Sequence, residues 1–220
     1  MPEVKYSAPP NLPLDYLYAD SALLVVNKPS GLLSVPGRGD DKADCLVQRV
    51  RIDYPDALIV HRLDMETSGL IVLARGKEAH RALSMGFQNR EVAKRYVALV
   101  DGLLEPACGE IDLPLIADWP RRPRQKVDFE FGKPSMTRFH VLAHDIERHL
   151  TRVELHPETG RSHQLRVHLM SRGHAILGDA LYASPVVQAK ANRLLLHAEY
   201  LEFAHPDGGE TISATCPAPF

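Results

Sequence analysis

The chain has 220 residues, of which 45% are hydrophobic and 25% charged, with a formal net charge of -2 and a sequence pI of about 6.6. This composition predicts an ordinary globular core and argues against a uniformly basic nucleic-acid binder, although a local basic face could still steer RNA. The N-terminus lacks the apolar core of a signal peptide, and the longest aliphatic run near it, residues 23–26, is too short to span a bilayer. We therefore expect a cytoplasmic protein that does not enter a membrane.

The first half of the chain alternates strand and helix patterns after a proline-rich start. Residues 1–13 contain four prolines and predict an extended arm, followed by a single domain over residues 14–220. Apolar runs predict strands, and apolar residues at helical spacing predict helices. The predicted strands are Leu23–Lys28, ended by the turn Pro29-Ser30-Gly31, then Leu32–Val35, Leu58–Val60 and Leu70–Ala74; the predicted helices are Ala43–Ile52 and Lys77–Arg90.

The second half is dominated by strand patterns. A helix is predicted over Ser162–Arg172, with Ser162 as its cap and Gly173 at its end. Many strands with short turns and few helices predict an α+β fold, with a largely antiparallel mixed sheet flanked by helices and loops. The predicted strands are Arg95–Val100, Ser135–His144, Leu150–His156, Leu194–Ala204 and Thr211–Thr215, the last two joined by the turn Pro206-Asp207-Gly208-Gly209.

A charged loop between two predicted strands is the first candidate for chemistry. It reads His61-Arg62-Leu63-Asp64-Met65-Glu66-Thr67-Ser68-Gly69. Loops held between strands are where a rigid scaffold presents reactive side chains. On spacing alone, the alternative is that Asp64 or Thr67 caps a turn and Arg62 is a solvated surface charge.

The second candidate is the start of the predicted helix at residues 158–168. His163 and Arg166 lie on one helical face, and Arg161 is near the N-terminus. Arg166 stands between Leu165 and Val167, so partial burial is expected, and a buried arginine would need a partner such as a loop carboxylate. The alternative is an amphipathic helix with a charged outer face.

The third candidate is residues 119–126, the basic segment. It holds four cations and no acid beside Trp119 and two prolines. Such a segment could grip phosphates, and the indole could stack on an unpaired base, although a solvated basic turn is an equal alternative. Its cations are Arg121, Arg122, Arg124 and Lys126.

Metal and nucleotide cofactors are not expected. His163 and His168 are five residues apart, which does not suit one helix face, and the cysteines at 45, 108 and 216 are too widely spaced for a zinc site. The chain has no H-E-x-x-H, G-x-G-x-x-G, P-loop or complete G-x-S-x-G motif. These absences leave an enzyme without a cofactor, or an RNA binder.

Four motifs in order resemble the RluA family of pseudouridine synthases. They are Asn27-Lys28-Pro29-Ser30-Gly31, His61-Arg62-Leu63-Asp64 followed by Thr67-Ser68-Gly69, Lys94-Arg95-Tyr96, and Gly160-Arg161-Ser162-His163-Gln164-Leu165-Arg166-Val167-His168. The resemblance spans about residues 15–217. It implies the pseudouridine synthase catalytic fold, here without the S4 domain that many relatives carry, and an isomerase that needs no metal or nucleotide.

The resemblance also implies residue roles and substrates. Asp64 would be the catalytic carboxylate, acting on the ribose, on the base or on the proton at C2′. Arg166 would supply a positive charge beside it, Tyr96 would stack on the uracil, and Arg62 would fill the space that a flipped uridine leaves. The implied substrates are a large-subunit ribosomal RNA stem-loop and the tRNA anticodon loop. His61, Arg161 and the four cations of the basic segment are further expected RNA contacts.

Three rival functions remain at this stage. One is a non-catalytic RNA chaperone of the same fold, which would bind RNA and leave Asp64 idle. Another is a hydrolase that uses Asp64 and His163 on a small substrate. The strongest is a relative of the same family with a single tRNA or rRNA target. No repeat or heptad pattern predicts assembly, so we expect a monomer.

Overall fold

The computed structural model describes residues 6–220, apart from the side chain of Asp40. Two short 3-10 turns, Asp40–Lys42 and Trp119–Arg121, accompany the regular elements. In chain order these elements are β1 (Asp15–Ala19), β2 (Leu23–Lys28), α1 (Leu46–Asp53), β3 (Ala57–Ile59), β4 (Ser68–Arg75), α2 (Lys77–Asn89), β5 (Ala93–Asp101), β6 (Cys108–Asp112), β7 (Leu115–Ala117), β8 (Gln125–Val127), β9 (Met136–Asp145), β10 (Leu150–Pro157), α3 (Gln164–Ser171), α4 (Pro185–Gln188), β11 (Leu196–Ala204) and β12 (Thr211–Thr215).

The chain forms two compact units. Unit 1 holds the residues up to Ala93 together with Ala198–Pro219, and unit 2 holds Lys94–His197 with Phe220. Residues 6–13 of the predicted arm have no regular structure, and the Arg49 guanidinium donates to the carbonyls of Pro9 and Pro10. The remainder of the arm, residues 1–5, lies outside the described residues. The single-domain boundary stays a prediction.

Unit 1 is built around two apolar strands. β2 pairs antiparallel with β1 and β4, β3 pairs with β4, and β11 pairs with β12. The first four residues of β2 and residues 70–74 of β4 are fully buried, which explains their continuous apolar runs. Ala79 and Leu83 of α2 are buried against this core, and Phe87 packs beside them, as the four-residue spacing predicts.

Unit 2 is a second antiparallel arrangement with its own core. β10 pairs with β5 and β9, β9 pairs with β6, and β7 forms a separate hairpin with β8. Val153 and Leu155 of β10 pack with Leu165 and Leu169 of α3. The predicted α+β class with largely antiparallel pairing is confirmed in both units.

One predicted strand and two helix starts are wrong. Residues 32–35 are irregular, because their polar groups serve other elements: the carbonyls of Leu33 and Ser34 accept the N–H groups of Leu46 and Val47. These bonds satisfy the open N-terminus of α1, which therefore begins at residue 46 rather than 43. Similarly, α3 begins at residue 164 instead of 162, because the preceding residue is left-handed (φ 55°).

Candidate active site

A buried lysine holds the loop that carries Asp64. Lys28 is 0% exposed, and its ammonium donates to the carbonyls of Pro29 (2.9 Å), Leu32 (2.7 Å) and Met65 (2.9 Å). The bond to Met65 joins residues 37 positions apart and lies beside Asp64 in the chain. An ammonium has three donors and no acceptor, and three backbone carbonyls accept from this one.

Two serines fix the same loop through its main chain. Ser30 Oγ donates to the carbonyl of Glu66 at 2.6 Å. Ser34 Oγ donates to the Leu63 carbonyl (2.8 Å) and accepts the Leu63 N–H (3.2 Å). The loop is thus bound on both sides of Asp64 by side chains from residues 28–34. Its carboxylate is half-buried and sits on a backbone with little freedom to move.

His61 and Arg62 occupy different environments although they are neighbours. The His61 ring stacks on Phe87, with centroids 4.3 Å apart, and its Nε2 accepts the N–H of Val72 at 3.1 Å. Nε2 can accept that bond only if it carries no hydrogen. In this arrangement the His61 ring packs against α2 and caps an N–H group of β4, which is a structural role. Arg62 is exposed, which leaves its guanidinium at the surface.

Gly69, at the end of the motif, is required by close packing. Its φ is +111°, and a Cβ at this position would lie 2.3 Å from the carbonyl oxygen of Ala198. Both the dihedral and the contact exclude a side chain. The glycine of the Thr67-Ser68-Gly69 motif therefore lets β4 approach a neighbouring backbone within unit 1.

In unit 2, Arg166 is held by a buried carboxylate. The Arg166 side chain is 3% exposed, and its Nε and Nη2 donate to the two oxygens of Asp179 at 2.8 and 2.7 Å. The Asp179 side chain is 1% exposed and also accepts the N–H groups of Leu181 and Tyr182. This two-pronged ion pair, with its backbone donors, fixes the plane and position of the guanidinium.

Tyr182 connects Arg166 to the β7–β8 hairpin. Its ring lies 5.2 Å from the guanidinium carbon of Arg166. Its hydroxyl accepts the backbone N–H of Gln125 at 2.7 Å and lies 2.7 Å from Nδ1 of His163. These contacts place His163, Arg166 and the first residue of β8 around a single phenol.

Tyr96 and Arg161 differ in burial. Tyr96 lies on β5 opposite Leu155 of β10, partly buried against the core of unit 2. Arg161 is exposed, and its Nε donates to the carbonyl of Pro134 at 3.2 Å. The tyrosine is thus oriented by the sheet, whereas the arginine is a surface side chain at the entrance to α3.

The positive charge of the basic segment is smaller than its sequence implies. Arg121 pairs with the buried carboxylate of Asp118 at 2.7 Å, and Lys126 pairs with Asp128 at 2.9 Å. These two acids flank the segment in the sequence, just outside residues 119–126. Half of its cations are therefore partly neutralised.

The other two cations of the basic segment are arranged differently. The Arg122 guanidinium lies 3.3 Å from the centroid of the Trp119 ring. Arg124 is half-buried at the end of the loop, and its carbonyl accepts the N–H of Asp118 at 2.9 Å. Arg122 and Arg124 are consequently the cations of this segment best suited to meet a phosphate.

Residues 6–220 contain neither a cluster of metal ligands nor a helix that could span a membrane. No group of three or more His, Cys, Asp or Glu side chains there could hold a metal ion. Over the same residues, no helix is long and apolar enough to cross a membrane.

Sequence reasoning missed three residues that shape the site. Lys28 was noticed only as part of a motif, Asp179 not at all, and Tyr182 not at all. The sequence predicts that a buried Arg166 needs a partner such as a loop carboxylate, but it does not indicate that Asp179 is that partner. Gly178, with φ +74° and no room for a Cβ beside Arg193, marks the tight turn before it.

Comparison with known families identifies a match over most of the chain. The profile described as RNA pseudouridylate synthase matches residues 22–171. The dual-specificity RNA pseudouridine synthase RluA of Escherichia coli (strain K12) is 54% identical over 213 residues, covering 96% of this chain and 97% of the relative. The protein of the same name from Pasteurella multocida (strain Pm70) is 49% identical and covers 99% of both chains.

Solved structures agree with this assignment. Human RNA Pseudouridylate Synthase Domain Containing 1 superposes with a TM-score of 0.81 and 30% identity, covering 97% of this chain and 87% of that one. Human RNA Pseudouridylate Synthase Domain Containing 4 gives a TM-score of 0.74 and 27% identity, covering 93% and 88%.

Proposed function

The chain belongs to the RNA pseudouridylate synthase family, and we propose that it is a dual-specificity enzyme of that family. It is an isomerase that converts uridine to pseudouridine in RNA. The proposed substrates are a large-subunit ribosomal RNA stem-loop and the tRNA anticodon loop. The observation that supports this specificity is the 54% identity, over 96% of the chain, to an enzyme named for dual specificity.

We propose Asp64 as the catalytic carboxylate. The reaction breaks the bond between C1′ and N1 of uracil, turns the base and forms a bond from C1′ to C5; the proton leaves C5 and N1 gains one. No redox partner is consumed. One fixed carboxylate is enough to begin it, by attack on the ribose or base or by removal of the C2′ proton. The bonds from Lys28, Ser30 and Ser34 support this role, because they hold the backbone on both sides of Asp64.

Arg166 and Tyr96 are proposed to complete the catalytic set. A catalytic carboxylate must be ionised, and Arg166 is proposed to supply the positive charge that favours this state. Its orientation by Asp179 supports such a role, since a preorganised charge costs no rearrangement during the reaction. Tyr96, fixed by β5, is proposed to stack on the detached uracil and retain it while it turns.

The remaining expected residues are proposed to meet the RNA. Exposed Arg62 would enter the space of the flipped uridine, at a site where unstacking costs a few kcal/mol. Arg161 and the cations of the basic segment, Arg121, Arg122, Arg124 and Lys126, would contact the backbone. For His61 the contacts with Phe87 and Val72 support an indirect role, through the position of Arg62. We further propose that the enzyme acts as a monomer in the cytoplasm.

The test uses two transcripts, an anticodon stem-loop and a large-subunit rRNA fragment, with the purified protein and no added metal or nucleotide. We expect wild type to form pseudouridine on both and Asp64→Asn to lose at least about 100-fold on both. The matched control is Glu66→Gln, a carboxylate of the same loop, which should stay within about threefold of wild type.

Each outcome separates the proposals. Product on one transcript alone would keep the chemistry and favour a single-target relative. RNA binding without product on either would favour a chaperone. Release of free uracil would indicate a hydrolase. Equal losses in Asp64→Asn and Glu66→Gln would remove Asp64 from the catalytic role.

A further inference from the structure

Three large aromatic side chains are left exposed beside one hairpin of unit 2. The exposed fractions are 66% for Trp119, 79% for Phe129 and 68% for Phe131. Every other exposed large hydrophobic residue described in residues 6–220 is aliphatic or methionine. Single exposed apolar residues need no explanation, but a cluster of aromatic ones on one short segment indicates a binding surface.

Two of these aromatic rings line a concavity. Its volume is about 360 Å³, and its wall combines the Trp119 and Phe131 rings with the paired side chains of Arg121 and Lys126. Asp118 and Asp128 partly neutralise these cations, and Ile116, Ala117 and Pro120 add uncharged surface beside the two rings. Phe129 is not part of the wall. The concavity therefore offers flat aromatic surface with polar groups at its edge.

The hairpin is rigid enough to preorganise this surface. β7 and β8 pair from Leu115↔Val127 to Ala117↔Gln125, and the Asp118 N–H donates to the Arg124 carbonyl at the closing turn. Beyond the hairpin, Asp128 Oδ1 accepts the N–H groups of residues 130 and 131, which fixes the position of Phe131. Gln125 is bound in turn by the Tyr182 hydroxyl, so the hairpin is tied to the loop that orients Arg166.

We propose that Trp119 and Phe131 form a stacking site for one unpaired base of the RNA loop, a base other than the target uridine. The inference rests on the proposed function, because it takes RNA as the substrate. Stacking on aromatic faces is the usual way to bind splayed-out bases, and each stacked base contributes about 1–3 kcal/mol. Arg122, already stacked on the indole, adds a cation where the phosphate of that base would lie.

The charges beside the rings favour a nucleotide over an apolar protein segment. Four cations fall within residues 119–126, and two of them, Arg122 and Arg124, have no carboxylate assigned to them among the described residues. A peptide with an apolar face would gain from the rings but would find the flanking cations unfavourable. An RNA loop supplies both a planar base and an adjacent negative charge.

The first readout is intrinsic fluorescence. Trp119 is the only tryptophan of the chain, so tryptophan emission reports on this site alone. Titration with the anticodon stem-loop is expected to quench it. Replacing each loop nucleotide in turn by an abasic residue should remove the quenching at one position, and should weaken binding there by about 5- to 150-fold.

The second readout is a cycle between protein and RNA. Trp119→Leu should weaken binding of the intact loop by the same factor as the abasic change, and should add less than about twofold on the abasic RNA. Phe131→Leu should behave alike, whereas the matched control Phe129→Leu, whose ring lies outside the concavity, should leave binding unchanged. Circular dichroism of each variant checks that it is folded.

The stacking site would be overturned if the losses of affinity from Trp119→Leu and from the abasic change were additive at every loop position. It would also be overturned if no abasic change removed the quenching. Pseudouridine formation by wild type on the same RNA is measured in parallel. Product together with additive losses would reject the stacking site and leave the enzyme assignment intact. Absence of product with any RNA would instead count against the proposed function. An equal effect of Phe129→Leu would mean that general apolar contact, not a defined base site, binds the RNA.

Discussion

The two units hold the side chains proposed for catalysis by opposite means. In unit 1, the donors of Lys28, Ser30 and Ser34 converge on backbone carbonyls on both sides of Asp64, so these bonds hold the loop through its main chain. In unit 2, the side chain of Arg166, which we propose for the catalytic set, is itself the bound group, and the buried Asp179 carboxylate pairs with it directly.

This difference predicts which substitutions each unit tolerates. In a loop held through its backbone, one side chain can be substituted without loss of stability, because the hydrogen bonds that hold the loop are donated by other residues. An arginine held by a buried ion pair cannot be exchanged in this way, because its removal leaves a buried carboxylate without compensation. Activity and stability should therefore separate in unit 1 and remain linked in unit 2.

The largest effect is expected for Arg166→Met. The Asp179 carboxylate would remain buried without its cation, at a cost of about 3–5 kcal/mol in the free energy of unfolding. The double variant Arg166→Met/Asp179→Asn removes both charges, and the amide oxygen can still accept the N–H groups of Leu181 and Tyr182. We expect it to regain most of the stability in urea unfolding while remaining inactive.

A double variant as unstable as Arg166→Met would show that the charge pair is not the source of the loss. A stable and active double variant would remove Arg166 from the proposed catalytic set.

The next effect is expected for Lys28→Met. Methionine fills similar volume but leaves the carbonyls of Pro29, Leu32 and Met65 without their common donor. Each buried unsatisfied carbonyl costs about 1–3 kcal/mol, partly offset because the buried charge is removed as well, so we expect a net loss of about 2–4 kcal/mol. Asp64 itself is unchanged in this variant, but its loop loses the bond from Lys28 to the Met65 carbonyl. We therefore expect the folded fraction of the enzyme to have a lower kcat, because the carboxylate is less well positioned.

Lys28→Met is compared with Ser30→Ala, which removes a single bond to the loop and should cost about 1 kcal/mol. If kcat per folded molecule stayed at the wild-type value in Lys28→Met, the lysine would stabilise unit 1 without positioning Asp64.

A smaller effect is expected at Tyr96. If its ring retains the detached uracil, Tyr96→Phe keeps the stacking surface and should stay within about tenfold of wild-type kcat, whereas Tyr96→Ala should lose about 10- to 100-fold. Tyr18→Phe in unit 1, which loses the bond to Asp20, serves as the matched control and should leave kcat unchanged. Equal losses for Phe and Ala would assign the role to the hydroxyl instead.

The smallest effects are pH-dependent and should separate the units. Burial lowers the pKa of His168 below its usual 6.5, which favours the neutral ring between Leu113 and Thr137. The unfolded chain then binds the proton more readily, so this contribution to stability is complete above about pH 6.5 and is lost as the pH falls below it.

Asp20 of unit 1 behaves differently. Burial opposes its ionisation, but the N–H groups of Leu23 and Ala22, with His205 and Tyr18, outweigh it and lower the pKa to about 2. Its contribution is complete above the unfolded value of 3.8 and is lost as the pH falls from there toward 2.

Hydrogen exchange measured strand by strand from pH 7 to pH 3 tests both groups. We expect β9 and β10 of unit 2 to lose protection first, below about pH 6.5, and β2 of unit 1 to lose it only below about pH 4. His168→Gln should remove the first step and Asp20→Asn the second. Simultaneous loss of protection in both units would contradict the assignment.

The amino-acid sequence alone predicts the elements whose bounds depend on local patterns, and it also contains the motifs that resemble the family. The strands Leu23–Lys28 and Thr211–Thr215 were predicted with the bounds observed, because a continuous apolar run in one case and a strong turn signal in the other mark their ends. The α+β class followed from the same patterns, and the motif around Asp64 led to the family.

The contacts that hold those motifs in place become visible only in the folded chain. Residues 32–35 have the residue types of a strand, yet their carbonyls accept hydrogen bonds from the N-terminus of α1 and from the Lys28 ammonium instead of from a neighbouring strand. Lys28 reaches Met65 across 37 positions, and Arg166 meets Asp179 across 13, in a loop without periodicity. The physical reason is that a buried charge takes the nearest partner in space, and spacing along the chain does not reveal which group that will be.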